Sequence, residues 1–335
     1  MPAGRRVVVR PLDVPALARL AGLPAARGTR SGPVRSRPAL LVSTLSVNEA
    51  FRAVMAAGLA HLLANERGLR ESADPEYLHQ ARVALRRLRS ALEVFSPPLP
   101  EAVVAPVERE LGWLASRLGP ARDWDVLMTE TLPPIEAEFG AQRGLKAFSK
   151  RCGRLRRSAG AGAHRAVRSV RYRRLTLGLS AWVAAEGWRA RPNSAAHAGL
   201  LSPVGEHARK VLEARYRRVR KRGRGLDALS TSRLHRLRIA IKKFRYAADF
   251  FSGLYRGRSV HETLRRLSRL QDILGAMSDA ATAADLVVRV YRGRVTGDIV
   301  EARGMLLGWN RARVAQLRGE LKDAWKSFSE AQAFW

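Results

Sequence analysis

The sequence predicts an all-α chain made of two similar helical halves, and two observations carry that prediction. The first is the stretch Leu234–Phe251, LHRLRIAIKKFRYAADFF, whose polar and apolar residues sort onto separate faces with a helical period. At about 100° per residue, His235, Arg238, Lys242 and Arg245 fall within roughly 80° of one another, while Leu237, Ala240, Ile241, Phe244, Ala248 and Phe251 take the opposite side. The second is that the same helix occurs earlier, as Leu78–Phe95, LHQARVALRRLRSALEVF. His79 stands where His235 does, Arg82 at Arg238, Val83 at Ile239, Arg86 and Arg87 at Lys242 and Lys243, Arg89 at Arg245, and Glu93 at Asp249. The offset of 156 residues also carries Asp74 onto Ser230, and Leu118-Gly119 with Asp123 onto Leu274-Gly275 with Asp279. One offset held across about fifty positions marks an internal duplication.

Taken in order, residues 1–45 are rich in Pro, Gly and Arg and lack sustained periodicity, so this stretch reads as a linker or loosely structured arm. Val47–Arg67 is helical, with Phe51, Val54, Met55, Leu59, Leu62 and Leu63 on one side. Asp74-Pro75 caps and starts the first signature helix, and Pro97-Pro98 stops it. Ala102–Leu118 forms a third helix ended by Gly119-Pro120; Asp123 then caps a fourth, broken near Pro133-Pro134. Residues 141–191 are the most basic helical region of the first half, with Trp182 and Trp188 anchoring their end in a core. Arg191–Pro203 has a loop composition and marks the boundary between halves. The second half repeats the plan: Val204–Arg222, the signature helix, Arg258–Leu274, a helix after Asp279, and a long one over Gly297–Phe328. The KRGRG turn at 221–225 lacks the flanking strand and Lys-Ser/Thr ending of a phosphate loop.

Of the 335 residues, 61 are Lys or Arg against 29 Asp or Glu, a net charge of +32. Such an excess repels itself in a compact fold and implies a polyanionic partner: nucleic acid, polyphosphate or an anionic membrane surface. Hydrophobic residues make up 46% of the chain, enough for real cores. A lone cysteine, Cys152, excludes a disulfide framework within the chain and any CxxC metal site. No apolar run approaches the roughly 20 residues of a membrane span, and Val7–Val9 is too short for a signal core. A cytoplasmic protein without membrane insertion is the expectation.

The two duplicated stretches closely resemble the paired signatures of the CHAD family, the conserved-histidine α-helical domain. The resemblance runs from Val47 to the C-terminus and includes LGPARDWDV at Leu118–Val126 and the tryptophan-rich end. It implies two four-helix-bundle-like halves in a pseudo-twofold arrangement, with a central basic surface that binds inorganic polyphosphate. The domain is then residues 46–335, with halves 46–190 and 204–335 joined by 191–203, and 1–45 is an arm. Under this reading the basic faces oppose each other and line a cationic cleft, which could also place the protein at polyphosphate granules.

The expected ligand-binding residues are His79, Arg82, Arg86, Arg87 and Arg89 in the first half, with His235, Arg238, Lys242, Lys243, Arg245 and Tyr246 in the second. Arginine forks onto two phosphate oxygens, whereas lysine acts as a mobile point charge. Arg87 and Lys243 sit about 80° to the other side of the histidines, where either ligand or solvent is available. The histidines fit phosphate contact as imidazolium groups, with a capping or core role as the alternative. Neither has a second metal ligand at i+3 or i+4. Tyr246 is expected to hydrogen-bond a phosphate or an arginine, with core packing as the alternative. Asp123 and Asp279 read as caps rather than ligands, and Trp113, Trp182, Trp188, Trp309 and Trp325 as core. Acids near the signatures are few and no nucleophile stands beside them, so no catalysis, cofactor or metal is expected. Non-specific nucleic-acid binding is the alternative function, against which the basic residues are not interleaved with aromatic platforms.

Overall fold

The computed structural model describes residues 12–23, 32–96, 98–140, 142–189, 194–291 and 297–335. Along the chain the helices are α1 (Val14–Leu20), α2 (Val47–Ala64), α3 (Glu66–Glu71), α4 (Pro75–Val94), α5 (Glu101–Val126), α6 (Leu132–Phe139), α7 (Arg143–Arg168), α8 (Val170–Ala184), α9 (Ala195–Leu201), α10 (Val204–Arg222), α11 (Thr231–Phe251), α12 (Arg258–Val290) and α13 (Gly297–Ser329), with a π-helical segment at Leu127–Thr131. No strand occurs among the described residues; Ser46 and Pro203 make an isolated antiparallel bridge. The all-α expectation holds.

The chain divides into two compact units, each assembled from separated stretches: Met1–Arg117 with His164–Lys210, and Leu118–Ala163 with Val211–Trp335. These units do not follow the contiguous halves 46–190 and 204–335. α5, α7 and α10 each give part of their length to one unit and the remainder to the other. A helix of 26 residues, as α5 and α7 are, is about 39 Å long, which exceeds the core of a small domain.

The first unit is built around α2. Ser46 and Glu49 close a capping box at its start, satisfying two helix-terminal donors reciprocally. Nearly every residue from Val47 to Leu62 is buried, because α2 packs against α1, α4, α8 and α9. Phe51 meets Phe95 at 5.3 Å and Trp188 at 4.7 Å between ring centroids, and Trp182 lies 4.9 Å from Trp188. Gly58 lets Leu88 of α4 come close: a Cβ there would lie 2.8 Å from its side chain.

The second unit has two centres. Leu145, Phe148 and Cys152 of α7 join Leu286, Val287 and Val290 of α12 and Ala302 and Leu306 of α13. Phe244 of α11 meets Trp335 edge-on at 5.5 Å, and Tyr216 lies 5.9 Å from Phe328.

Several expectations are corrected. The stretch expected as an arm carries α1, which packs on α2 with Leu17 fully buried, and Val34 is hydrogen-bonded to Asn65. Gly119-Pro120 does not end a helix; α5 runs through it, since Leu118 and Ala121 are buried on either side and favour continued helix. Asp123 and Asp279 are accordingly helix-interior residues, not caps. Near Pro133-Pro134 the helix loosens into the π segment, and the prolines then open α6, where their missing N–H groups cost little. α12 is continuous from Arg258 to Val290, where two helices were expected. The linker contains α9, capped by Ser194. Trp188 is fully buried, and the half-buried Trp182, Trp309 and Trp325 pack against core residues as expected, whereas the half-buried Trp113 lies under the guanidinium of Arg171. Residues 1–11 and 24–31 of the expected arm, Pro97, and 191–193 of the expected linker lie outside the described residues.

Candidate functional site

Both signature helices start at the expected caps. Asp74 accepts from the backbone N–H of Glu76 at 2.8 Å with Pro75 in the first turn, and Ser230 accepts from that of Arg233 at 3.4 Å. The buried sides are those the periodicity indicates: Ala81, Ala84, Leu85, Leu88, Ala91 and Leu92 on α4, and Leu237, Ala240, Ile241, Phe244, Ala248 and Phe251 on α11.

In the first unit, His79, Arg82 and Arg86 are half-buried and Arg89 is exposed. Arg82 Nη1 reaches the carbonyl of Ala115 at 3.5 Å. Arg86 Nε is buried without a hydrogen-bond partner among the described residues. Arg87 is set apart from these cations. It is only 8% exposed and lies within electrostatic reach of the buried His61.

His61 belongs to a polar network to which the sequence assigns no role. Its Nε2 lies 2.9 Å from the carbonyl of Val34 and 3.0 Å from Gln80 Oε1, both acceptors, so that nitrogen carries the proton. Gln80, next to His79 on α4, donates in turn to Glu76 at 2.6 Å. Asn65, fully buried, accepts from Val34 N–H and donates to the carbonyls of Val34 and His61, each at 2.9 Å. Burial pushes the His61 imidazole below its usual range, with Arg87 and His79 adding to this while the hydrogen bonds to Val34 and Gln80 oppose it. No motif announces the network, since its members are brought together only by the folding of residues 32–41 against α2.

In the second unit, His235 is exposed, whereas Arg238, Lys242, Lys243, Arg245 and Tyr246 are half-buried. Tyr246 stacks on Phe250, with centroids 6.3 Å apart and ring planes at 30°. Cations crowd the start of this face. Arg222 Nη1 donates to the carbonyl of Arg236 at 2.8 Å, and burial together with Arg218 and Arg236 lowers the Arg222 guanidinium's affinity for its proton.

Asp123 and Asp279, coupled by the constant offset, line one cavity with Val126, Leu127, Thr131, Thr282 and Ala283. Its volume is about 20 Å³, room for one water and too little for a phosphate. Asp279 keeps an exposed surface, yet desolvation by the protein packed around its carboxyl pushes it above the usual range. Arg238 and Arg122 oppose that shift, and Glu130 and Asp123 reinforce it. Asp279 thus stands within electrostatic reach of Arg238 on the basic face of α11. Asp125 is engaged differently, accepting from Arg156 at 2.6 Å.

Among the described residues, no group of three or more His, Cys, Asp or Glu is placed to hold a metal ion. No helix there is long and apolar enough to cross a membrane. The accessible chemistry is cationic: guanidinium, ammonium and imidazole groups on helix surfaces, suited to phosphate oxygens.

A comparison with curated protein sequences finds no match. Among solved structures, the chain is similar to the CHAD domain from the plant Ricinus communis, with a TM-score of 0.77 and 31% identity, covering 90% of this chain and 98% of that one. It shares its fold with PptA from Streptomyces chartreusis, with a TM-score of 0.67 and 19% identity over 84% of this chain and 100% of that one. Residues 53–288, which include both signature helices and the cavity between Asp123 and Asp279, match the CHAD domain family. The chain belongs to the CHAD domain family.

Proposed function

We propose that the chain binds inorganic polyphosphate without transforming it, holding it on the cationic faces of α4 and α11, and that this binding keeps the protein at polyphosphate-rich granules in the cytoplasm. One observation carries the reading. On each helix a histidine is followed by basic residues at i+3, i+7 and i+10, and no acid interrupts the row. Ten residues of helix extend about 15 Å, so each row offers a linear polyanion several cations in succession. Like charges so close repel one another until an anion arrives, and the anion releases its own counterions on binding. Membership of the CHAD family supports the same ligand.

The test is a titration of long-chain polyphosphate against duplex DNA of equal charge at physiological salt. Polyphosphate is expected to bind more tightly, and Arg238→Ala/Lys242→Ala/Arg245→Ala to weaken it with the helical circular dichroism retained. Incubation with Mg²⁺ or Mn²⁺ is expected to release no phosphate. Equal or tighter binding of DNA, or phosphate release in proportion to protein, overturns the proposal.

A further inference from the structure

α7 carries nine Lys or Arg residues and no Asp or Glu over 26 residues. Five of them, Arg143, Lys146, Lys150, Arg154 and Arg157, follow one another at intervals of three or four and fall within roughly 80° of one another. All five are exposed, and among the described residues none of them forms an ion pair. From Arg143 to Arg157 is fourteen steps along the helix, about 21 Å at 1.5 Å per residue. Arg156 behaves differently, being paired inward with Asp125. A merely solvated face gains by mixing acids with bases, whereas like charges at i,i+4, as in Lys146/Lys150 and Lys150/Arg154, cost stability.

The character of the stripe narrows its partner. The opposite side of α7, with Leu145, Phe148 and Cys152, is committed to the core with α12 and α13, so the helix cannot insert an apolar face into lipid. No aromatic side chain lies on the exposed face, so a single-stranded nucleic acid finds no stacking platform there. Ala147, Gly153 and Ser158 flank the cations and leave them open to close approach. A duplex winds its phosphates about an axis and leaves a straight 21 Å row after a few cations, whereas a flexible single chain of phosphates can follow it throughout.

We propose that this stripe is a second binding track for condensed inorganic phosphate chains, built from residues outside the two signature helices. The proposal rests on the reading of the ligand as polyphosphate, and the experiment separates the two. Lys146→Gln/Lys150→Gln/Arg154→Gln/Arg157→Gln removes four cations and puts a good helix former in their place. The slope of log affinity against log salt for long-chain polyphosphate is expected to become shallower by about 3, at about 0.7 for each phosphate that a cation no longer neutralises. A control with equal charge loss elsewhere in the same unit, Arg265→Gln/Arg303→Gln/Arg311→Gln/Arg318→Gln, is expected to leave the slope near that of the parent; all four residues are exposed. Circular dichroism verifies that both variants fold. A parental slope in the α7 variant, or an equal change in the control, overturns the track while leaving the function proposed above in place. A single-stranded oligonucleotide of equal charge that binds the parent more tightly than polyphosphate does, and is released by the α7 variant, overturns the assignment of ligand. A parent that ignores polyphosphate altogether overturns both proposals.

Discussion

Asn65→Ala is expected to destabilise the first unit by about 2–4 kcal/mol. Asn65 is fully buried and makes three side-chain hydrogen bonds at 2.9 Å, and their donors and acceptors fix which way its amide points. Truncation strands two groups. The N–H of Val34 loses its acceptor, and the carbonyl of His61, near the C-terminal end of α2, loses its donor. The carbonyl of Val34 keeps His61 Nε2 and adds little to the loss. Each stranded buried group costs about 1–3 kcal/mol, which gives the range above after allowing for partial rehydration. Guanidinium denaturation followed by far-UV circular dichroism measures the global loss. Trypsin cleavage after Arg35, next to the clamped Val34, is expected to accelerate as Val34 loosens. Asn65→Asp is a sharper probe because it keeps the shape. Its second oxygen would face two carbonyls, so burial and those carbonyls would hold its folded pKa well above the ordinary carboxylate value. The variant is expected to be weaker than Asn65→Ala at neutral pH and to recover as pH falls through that raised value, with recovery complete near the unfolded value of about 4. Stability of Asn65→Ala within about 0.5 kcal/mol of the parent, together with unchanged cleavage at Arg35, refutes the clamp.

Other outcomes follow from the same geometry. His61 and His207 are both held below the usual histidine range, chiefly by burial, so the folded form binds protons less readily than the unfolded one. Their contribution is intact above the unfolded value of about 6.5 and is lost as pH falls toward the depressed folded values, at no more than about 1.4 kcal/mol per pH unit for each. Denaturation between pH 8 and 5 should show that slope, and His61→Gln/His207→Gln should flatten it; an unchanged slope contradicts the assignment. Gly144→Ala is expected to destabilise by about 1–3 kcal/mol, since the added Cβ would overlap the backbone carbonyl of Asp298, which cannot swing aside. Gly160→Ala meets open space in mid-helix and is expected to stabilise by about 0.5–1 kcal/mol; thermal melts of the pair should move in opposite directions. The buried Cys152 thiol is pushed up to about 12, so a thiol reagent at neutral pH should label it only after unfolding.

The parts legible in the sequence are those in which local signals agree. Asp74 with Pro75, and Ser230, each mark the start of a helix whose apolar period continues for four or more turns. The misread parts are those in which a local breaker is outweighed by burial. Gly119-Pro120 lies in a helix whose buried Leu118 and Ala121 hold it together, and Gly275 lies in one stabilised by Leu274, Ala280 and Ala283. Arg87 shows a second limit: helical angle places it beside the basic row, but only tertiary packing turns it inward toward His61. Asp123 and Asp279 show a third. The offset tied them together, yet only the fold brings both to one cavity.

Interleaving of the two units has a consequence for synthesis. The first unit needs residues 164–210 as well as its N-terminal stretch, so it cannot be completed until residue 210 has left the ribosome. Residues 118–163 emerge before that point but belong with 211–335, and so must wait for partners not yet made. At about 5–20 residues per second, the last 125 residues take on the order of ten seconds. During that interval the apolar side of α7, with Leu145, Phe148 and Cys152, has no mate from α12 or α13. Its cationic side repels other nascent copies of itself, a built-in safeguard for a segment that is translated early and buried late.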